Sequence, residues 1–429
     1  DSVAIGSAAL ENQNPATATD MLNTAVGHVS GQDVTTGIQN SFLGGFSGNS
    51  ITSGESNVAF GYQSLRDDTL GSHSVALGAR ALKFQNLTTA TDTYNVAVGA
   101  SAGLNITTGT FNTITGGLAA DALTVGERNT VYGKSALTSD TKGSRAVAIG
   151  LSALATQNFT TATDNYNIAV GYNAGALVTT GINNTIVGGL AGDALTDADQ
   201  NTVLGYGALS ADTLGTSSTA IGHLALQDQN FTTATTSNNT AVGHSAGKNI
   251  TTGLQNTVIG SGAGDALTDA DFNVAVGTSA LGADTLGSRS TAIGRNALLV
   301  QNFATAFDTY NTAVGFNAGS SVTTGASNLI VGALAGDALT NADFNVAVGR
   351  SALTDDTLGS RTVAIGYNAL GTQNFTTATN TYNVAVGYEA GVALTTATGS
   401  TLIGSLAGDA ITDGNNNTCV GYLAGSAIT

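Results

Sequence analysis

Asn23-Thr24-Ala25-Val26-Gly27 is the phrase that decides the fold, because it returns along the whole chain. It recurs as Asn95-Val96-Ala97-Val98-Gly99, as Asn256-Thr257-Val258-Ile259-Gly260 and as Asn383-Val384-Ala385-Val386-Gly387. Its closing glycine falls at Gly6, Gly27, Gly44, Gly61 and Gly78, in steps of 21, 17, 17 and 17, and the cycle holds to Gly421. The chain is thus 24 short units grouped as six 72-residue cassettes, approximately 3-74, 75-146, 147-218, 219-290, 291-362 and 363-429, the last incomplete. Such a period specifies stacked supersecondary units in one continuous body, not a row of separate globular domains.

Each unit can be written in columns counted from that glycine. Column −1 is a large apolar residue (Ile5, Val26, Leu43, Phe60), column −2 is mostly alanine, column −3 is Thr, Val or Ser, and column −4 is most often Asn. Short, β-branched segments of this kind form strands. Alternation puts columns −3 and −1 on one face and column −2 on the other. The alanine face suits a narrow lumen; the Val/Ile face suits a roomier contact, either another face of the coil or another chain. After the glycine comes a second short segment, whose column +4 alternates between Leu10 or Leu65 and Gly31 or Gly48. A polar stretch follows, ending in a glycine turn such as Thr35-Thr36-Gly37 or Thr69-Leu70-Gly71, where glycine would permit a positive φ.

Two short segments and two turns in 17 residues make one turn of a parallel β-solenoid or β-roll, an all-β fold. At about 4.8 Å per coil, 24 coils would rise roughly 115 Å. The Asn column would stack into a ladder bonded along the coils or to its own turn backbone.

Composition narrows the function. Only 10% of residues are charged, the net charge is −17, and the 12 Lys and Arg form no run. A nucleic-acid surface needs a basic stripe, so that class is excluded. No apolar run approaches a membrane span, and no secretory leader is recognisable. Neither end carries a capping segment, from which a window of a longer or continuously stacked protein is expected. Cys419 is the single cysteine, in an apolar column, so no intrachain disulfide forms.

Three features carry candidate chemistry. The long loop that opens each cassette repeats as Gln157-Asn158-Phe159-Thr160-Thr161-Ala162-Thr163 and Gln373-Asn374-Phe375-Thr376-Thr377-Ala378-Thr379. Its aromatics Phe159, Tyr166, Phe231, Phe303, Tyr310, Phe375 and Tyr382 either tuck the loop down or form a ridge for lateral contact with another chain or a glycan surface. Third units carry acids, Asp193, Asp197 and Asp199, then Asp265, Asp269 and Asp271. Three carboxylates within seven residues fit calcium, but the spacing is not that of an EF-hand; solvated acidic turns are the plainer reading. No other cofactor is expected. His223 and His244 lie on successive coils and can approach, without a third ligand for a metal. Arg145, Arg289 and Arg361 would offset nearby acids. Asn86-Leu87-Thr88 and Asn158-Phe159-Thr160 match the glycan-acceptor pattern. No nucleophile–base pair stands outside the repeat, so no catalysis is expected.

The phrases Ser2-Val3-Ala4-Ile5-Gly6, Ser74-Val75-Ala76-Leu77-Gly78 and Ala146-Val147-Ala148-Ile149-Gly150 resemble the head repeats of YadA-like trimeric autotransporter adhesins. The resemblance implies a left-handed parallel β-roll, three chains side by side, and binding to host surfaces or matrix proteins. The longer consensus at residues 239–253 and 311–325 is similar to repeats of bacteriophage tail fibres and large bacterial surface proteins. Coils of 17 and 21 residues depart from the roughly 14 of those adhesin heads, and the family's stalk, neck and membrane anchor are missing from this sequence. The expectation is an extracellular or cell-surface fibre with an adhesive surface, self-associating laterally and end to end. A phage tail or appendage shaft on a virion is the alternative. A sugar-processing or ice-binding solenoid stands third; ice binding would want flat threonine ladders, and column −3 mixes Thr, Val and Ser.

Overall fold

The structure, a computed structural model, describes residues 1–428. It is a parallel β-solenoid with no helix among the described residues. Two compact units are distinguished, one of Asp1–Thr216 with Thr232–Ala234, the other of Ser217–Phe231 with Thr235 onward. Each unit holds twelve of the three-residue strands that the repeated phrase predicts, from Val3–Ile5 to Thr202–Leu204 in the first and from Thr219–Ile221 to Thr418–Val420 in the second.

Register follows the columns without a slip. Ala25 pairs with Phe42, Phe42 with Ala59, Ala59 with Ala76 and Ala76 with Ala97, always in parallel. In the second unit Ala241, Val258, Ala275 and Ala292 align in the same way. The column −2 face is the lumen, where Ala25, Phe42, Ala59, Ile114 and Ala275 are fully buried. The Val/Ile face points outward: Leu43 is 49% exposed and Tyr132 61%. Alanine predominates in this column, and Phe42, Ile114 and Leu402 show that it also takes larger side chains.

The lumen is filled by size compensation. Where column +4 is leucine, as at Leu65 and Leu82, that side chain fills the coil. Where it is glycine, as at Gly103 and Gly192, column +7 supplies Ile106 or Leu195 instead. A methyl added at Gly103 would lie 3.0 Å from Ile106 and 3.1 Å from both Ile114 and Leu82. The alternation read in the sequence is thus a packing rule over successive coils.

The second short segment, after the closing glycine, is a series of turns. The closing glycine itself has φ near +135° (Gly150), and columns +2 and +4 are left-handed as well, at Ser152 (φ 56°) and Leu154 (φ 49°). The glycine of the polar turn differs from expectation. Gly37 and Gly54 do not have positive φ; the left-handed residues come two positions later, at Gln39 (60°) and Ser56 (58°). Gly37 is required because a side chain there would run into the Gly54 carbonyl of the next coil. Left-handed backbone at non-glycine residues costs roughly 1–2 kcal/mol each. It is sustained here by coil-to-coil hydrogen bonds, for instance from the Gln39 amide to the Met21 carbonyl at 2.7 Å.

The asparagine ladder forms inside the wall. Asn40 donates its backbone N–H to Asn23 Oδ1 (2.9 Å) and its Nδ2 to the Gly54 carbonyl (3.0 Å); Asn57 repeats both bonds one coil on, at 3.0 and 2.9 Å. Once per cassette the column changes to a small residue, such as Ser74, and the long loop takes over. There Gln85 accepts from Asn95 Nδ2 (2.9 Å) and donates to Ser74 Oγ (2.8 Å) and to the buried Asp68 carboxylate (2.6 Å). The loop also adds two-residue parallel strands, Thr91–Asp92 against Gly71–Ser72 and Phe307–Asp308 against Gly287–Ser288.

Candidate functional site

The aromatic residues of the long loop divide into two groups. Phe159, Phe231, Phe303 and Phe375 are 5–7% exposed, so they seat the loop and are not a contact ridge. Tyr166, Tyr310 and Tyr382 are 52–61% exposed and remain available to a partner. Alternation alone cannot tell these rings apart; their position relative to the buried Asp can. Asp140 accepts from the Phe159 amide (3.3 Å) and from Gln157 (2.6 Å), folding the phenyl ring under the loop.

The exposed tyrosines belong to column −5, which presents flat groups on successive coils. His73 stacks on Tyr94 (5.0 Å between centroids) and Tyr94 on Phe111 (5.9 Å), with the Arg128 guanidinium 5.4 Å from the Phe111 centroid. Arg145 lies over Tyr166, Arg289 over Phe272 and Arg361 over Phe344. Arg145 and Arg289 also pair with Asp164 (2.9 Å) and Asp308 (3.0 Å), while Arg361 meets the side chain of Asn380 in place of an acid. Cation–π and ion-pair contacts at such exposed sites contribute about 0.5–1 kcal/mol each. His223 and His244 stack with centroids 5.1 Å apart.

The acid sets are not gathered around a common point. Asp197 accepts from Thr180 Oγ1 (2.6 Å) and Asp199 from the Ile182 amide (2.7 Å), each reaching to the preceding coil. Asp269 and Asp271 do the same toward Thr252 and Leu254. Burial pushes the carboxyls of Asp193 and Asp265 above the ordinary range, and Asp193 Oδ1 has no hydrogen-bond partner. Among the described residues no group of three His, Cys, Asp or Glu is arranged to hold a metal ion.

The threonine ladder lies elsewhere than column −3. Column +8 carries Thr35, Thr52 and Thr69, then Thr107, Thr124 and Thr141, with Asn86 between the runs. Thr52 Oγ1 donates to the Thr69 carbonyl (3.0 Å) and Thr124 Oγ1 to the Thr141 carbonyl (2.8 Å), so these hydroxyl protons are spent within the wall. The regular Thr spacing was readable in the sequence, but its bonding was not.

Fold and surface together define the class: a parallel β-solenoid repeat protein, in which no helix among the described residues is long and apolar enough to cross a membrane. No protein-family model matches the chain, and no curated protein matches it.

Proposed function

We propose that this chain is the structural shaft or head of an extracellular fibre with an adhesive surface, assembled by parallel lateral association of copies of itself. The observation that carries the reading is the outward strand face. A solenoid wall facing only water would be expected to alternate apolar-in with polar-out. Here the outer face keeps Leu43, Phe60, Tyr132 and Leu204 in the first unit and Ile259, Ile293, Ile365 and Ile403 in the second, all at least 36% exposed. Extended apolar patches of this kind mark interaction surfaces. The resemblance to YadA-like adhesin heads supports three chains across the fibre, with Tyr166, Tyr310 and Tyr382 left for contact with a host glycan or matrix protein. Active sites break symmetry, and the acids and histidines here follow the repeat, which favours a non-catalytic role.

Light scattering coupled to gel filtration over a concentration series tests this. The wild-type chain should run as an oligomer, and the Leu43→Lys/Phe60→Lys variant should shift to monomer with unchanged circular dichroism, because both side chains lie outside the core. A wild-type chain that stays monomeric throughout the series overturns the assembly.

A further inference from the structure

One groove departs from the repeat. It runs as an open depression of about 680 Å³ across five successive coils of the first unit and is lined by Phe84, Asn86, Asn105, Thr107, Ala122 and Thr124, with Asp67 and Thr141 at its ends. Four coil spacings make it roughly 19 Å long.

Asn86, Thr107, Ala122 and Thr124 recur at the same positions of most other cassettes, whereas Phe84 and the neighbouring Lys83 are particular to the second. The place of Phe84 is taken by Asn12, Thr156, Asp228, Val300 and Thr372 in the other cassettes, and that of Lys83 by Glu11, Ala155, Gln227, Leu299 and Gly371. Arg66, Arg80 and Lys83 therefore bring three of the chain's 12 cations to adjoining coils of a molecule with net charge −17. Arg66 is spoken for by Asp67, with Nη2 at 2.8 Å from Oδ2. The Lys83 ammonium lies 4.5 Å from the Phe84 centroid and is held below its ordinary pKa by burial first, then by Arg66 and Arg80.

The polar wall is suited to hydroxyl-rich ligands. Asn86 uses Oδ1 to accept from Thr69, leaving its amide protons to donate outward; Asn105 uses Nδ2 on the Asp121 carbonyl, leaving its oxygen to accept. Thr107 and Thr124 spend their protons on backbone and present oxygens. The backbone offers an incoming peptide no strand edge, because the amides of Phe84, Asn86, Asn105 and Thr107 already donate to the next coil.

We propose that this groove binds an acidic oligosaccharide lying along the coil axis, its carboxylates directed to Lys83, which lies over the Phe84 ring at the groove, and its hydroxyls to the Asn and Thr side chains. This rests on the adhesive reading above and adds to the exposed tyrosines a second contact place with its own ligand class. The test is a binding measurement on an array of immobilised oligosaccharides, uronate- and sialate-bearing alongside uncharged. Acidic members should bind. Phe84→Ala should weaken them by about tenfold or more. Lys83→Gln should remove the preference for acidic over neutral sugars, and Val300→Ala, the same column elsewhere, should change nothing. Acidic sugars that bind equally well to Phe84→Ala and Lys83→Gln place the adhesive surface outside this groove and overturn the proposal while leaving adhesion intact. An array on which no acidic sugar binds overturns the groove, and one on which no sugar of either kind binds overturns adhesion to sugars as well; the self-association result stands independently of both.

Discussion

Replacing Asn112 by alanine tests the ladder where it is fully enclosed. Asn112 Oδ1 accepts from the Asn129 backbone N–H (3.0 Å) and from Asn129 Nδ2 (3.1 Å), while its own Nδ2 donates to the Gly126 carbonyl (2.9 Å). The side chain is 0% exposed, so water cannot replace it without opening the wall. Alanine strands two backbone groups, the Asn129 amide and the Gly126 carbonyl, at about 1–3 kcal/mol each. A cost of about 3–4 kcal/mol follows for that coil. Stability in a stacked array is a sum of local terms, so the readout should be local. Hydrogen exchange at the Asn129 amide should accelerate by about a hundredfold or more, at about 1.4 kcal/mol per decade, with little change several coils away. Asn112→Asp keeps the acceptor for Asn129 but loses the donation to Gly126 when ionised, and should fall between the two. Exchange at Asn129 within about threefold of wild type in the alanine variant would refute a structural role for the ladder.

Further expectations follow from the same geometry. Gly44→Ala would put a methyl 2.6 Å from the Gly61 carbonyl oxygen on a backbone with φ +137°, so denaturant melts should show a loss of more than about 4 kcal/mol or failure to fold. Leu195→Ala, emptying a fully buried lumen position, should cost about 2–5 kcal/mol in the same assay. Burial raises the carboxyl pKa of Asp68, Asp140, Asp284 and Asp356. Their contribution to stability is therefore full below the ordinary Asp value and is lost as pH rises through the raised folded value. Urea midpoints measured downward from pH 7 should rise as acid protonates these groups, and Asp140→Asn should flatten that slope; midpoints that fall over the same range would contradict the sign.

What the sequence determined by itself was whatever depends on one column seen many times. The Asn-x-Ala-Val-Gly phrase set the strand, the 17-residue step set the coil, and the alanine column was legible as the narrow face. Cys419, buried against Leu402 in that column, shows how closely the pattern is kept. Tertiary structure decided what depends on neighbours one coil away. Gln85 and Asp68 are 17 residues apart and look like polar surface in the sequence, yet they meet inside the wall and bridge the break in the ladder. Phe159 and Tyr166 share one loop and take opposite sides of it, because only Phe159 adjoins the buried Asp140. Left-handed backbone fell on Leu82 and Gln39 without a glycine signal, since coil-to-coil hydrogen bonds hold conformations that local propensity disfavours. The groove at Phe84 arises in the same way, from small and large side chains that only the stacking of coils brings side by side.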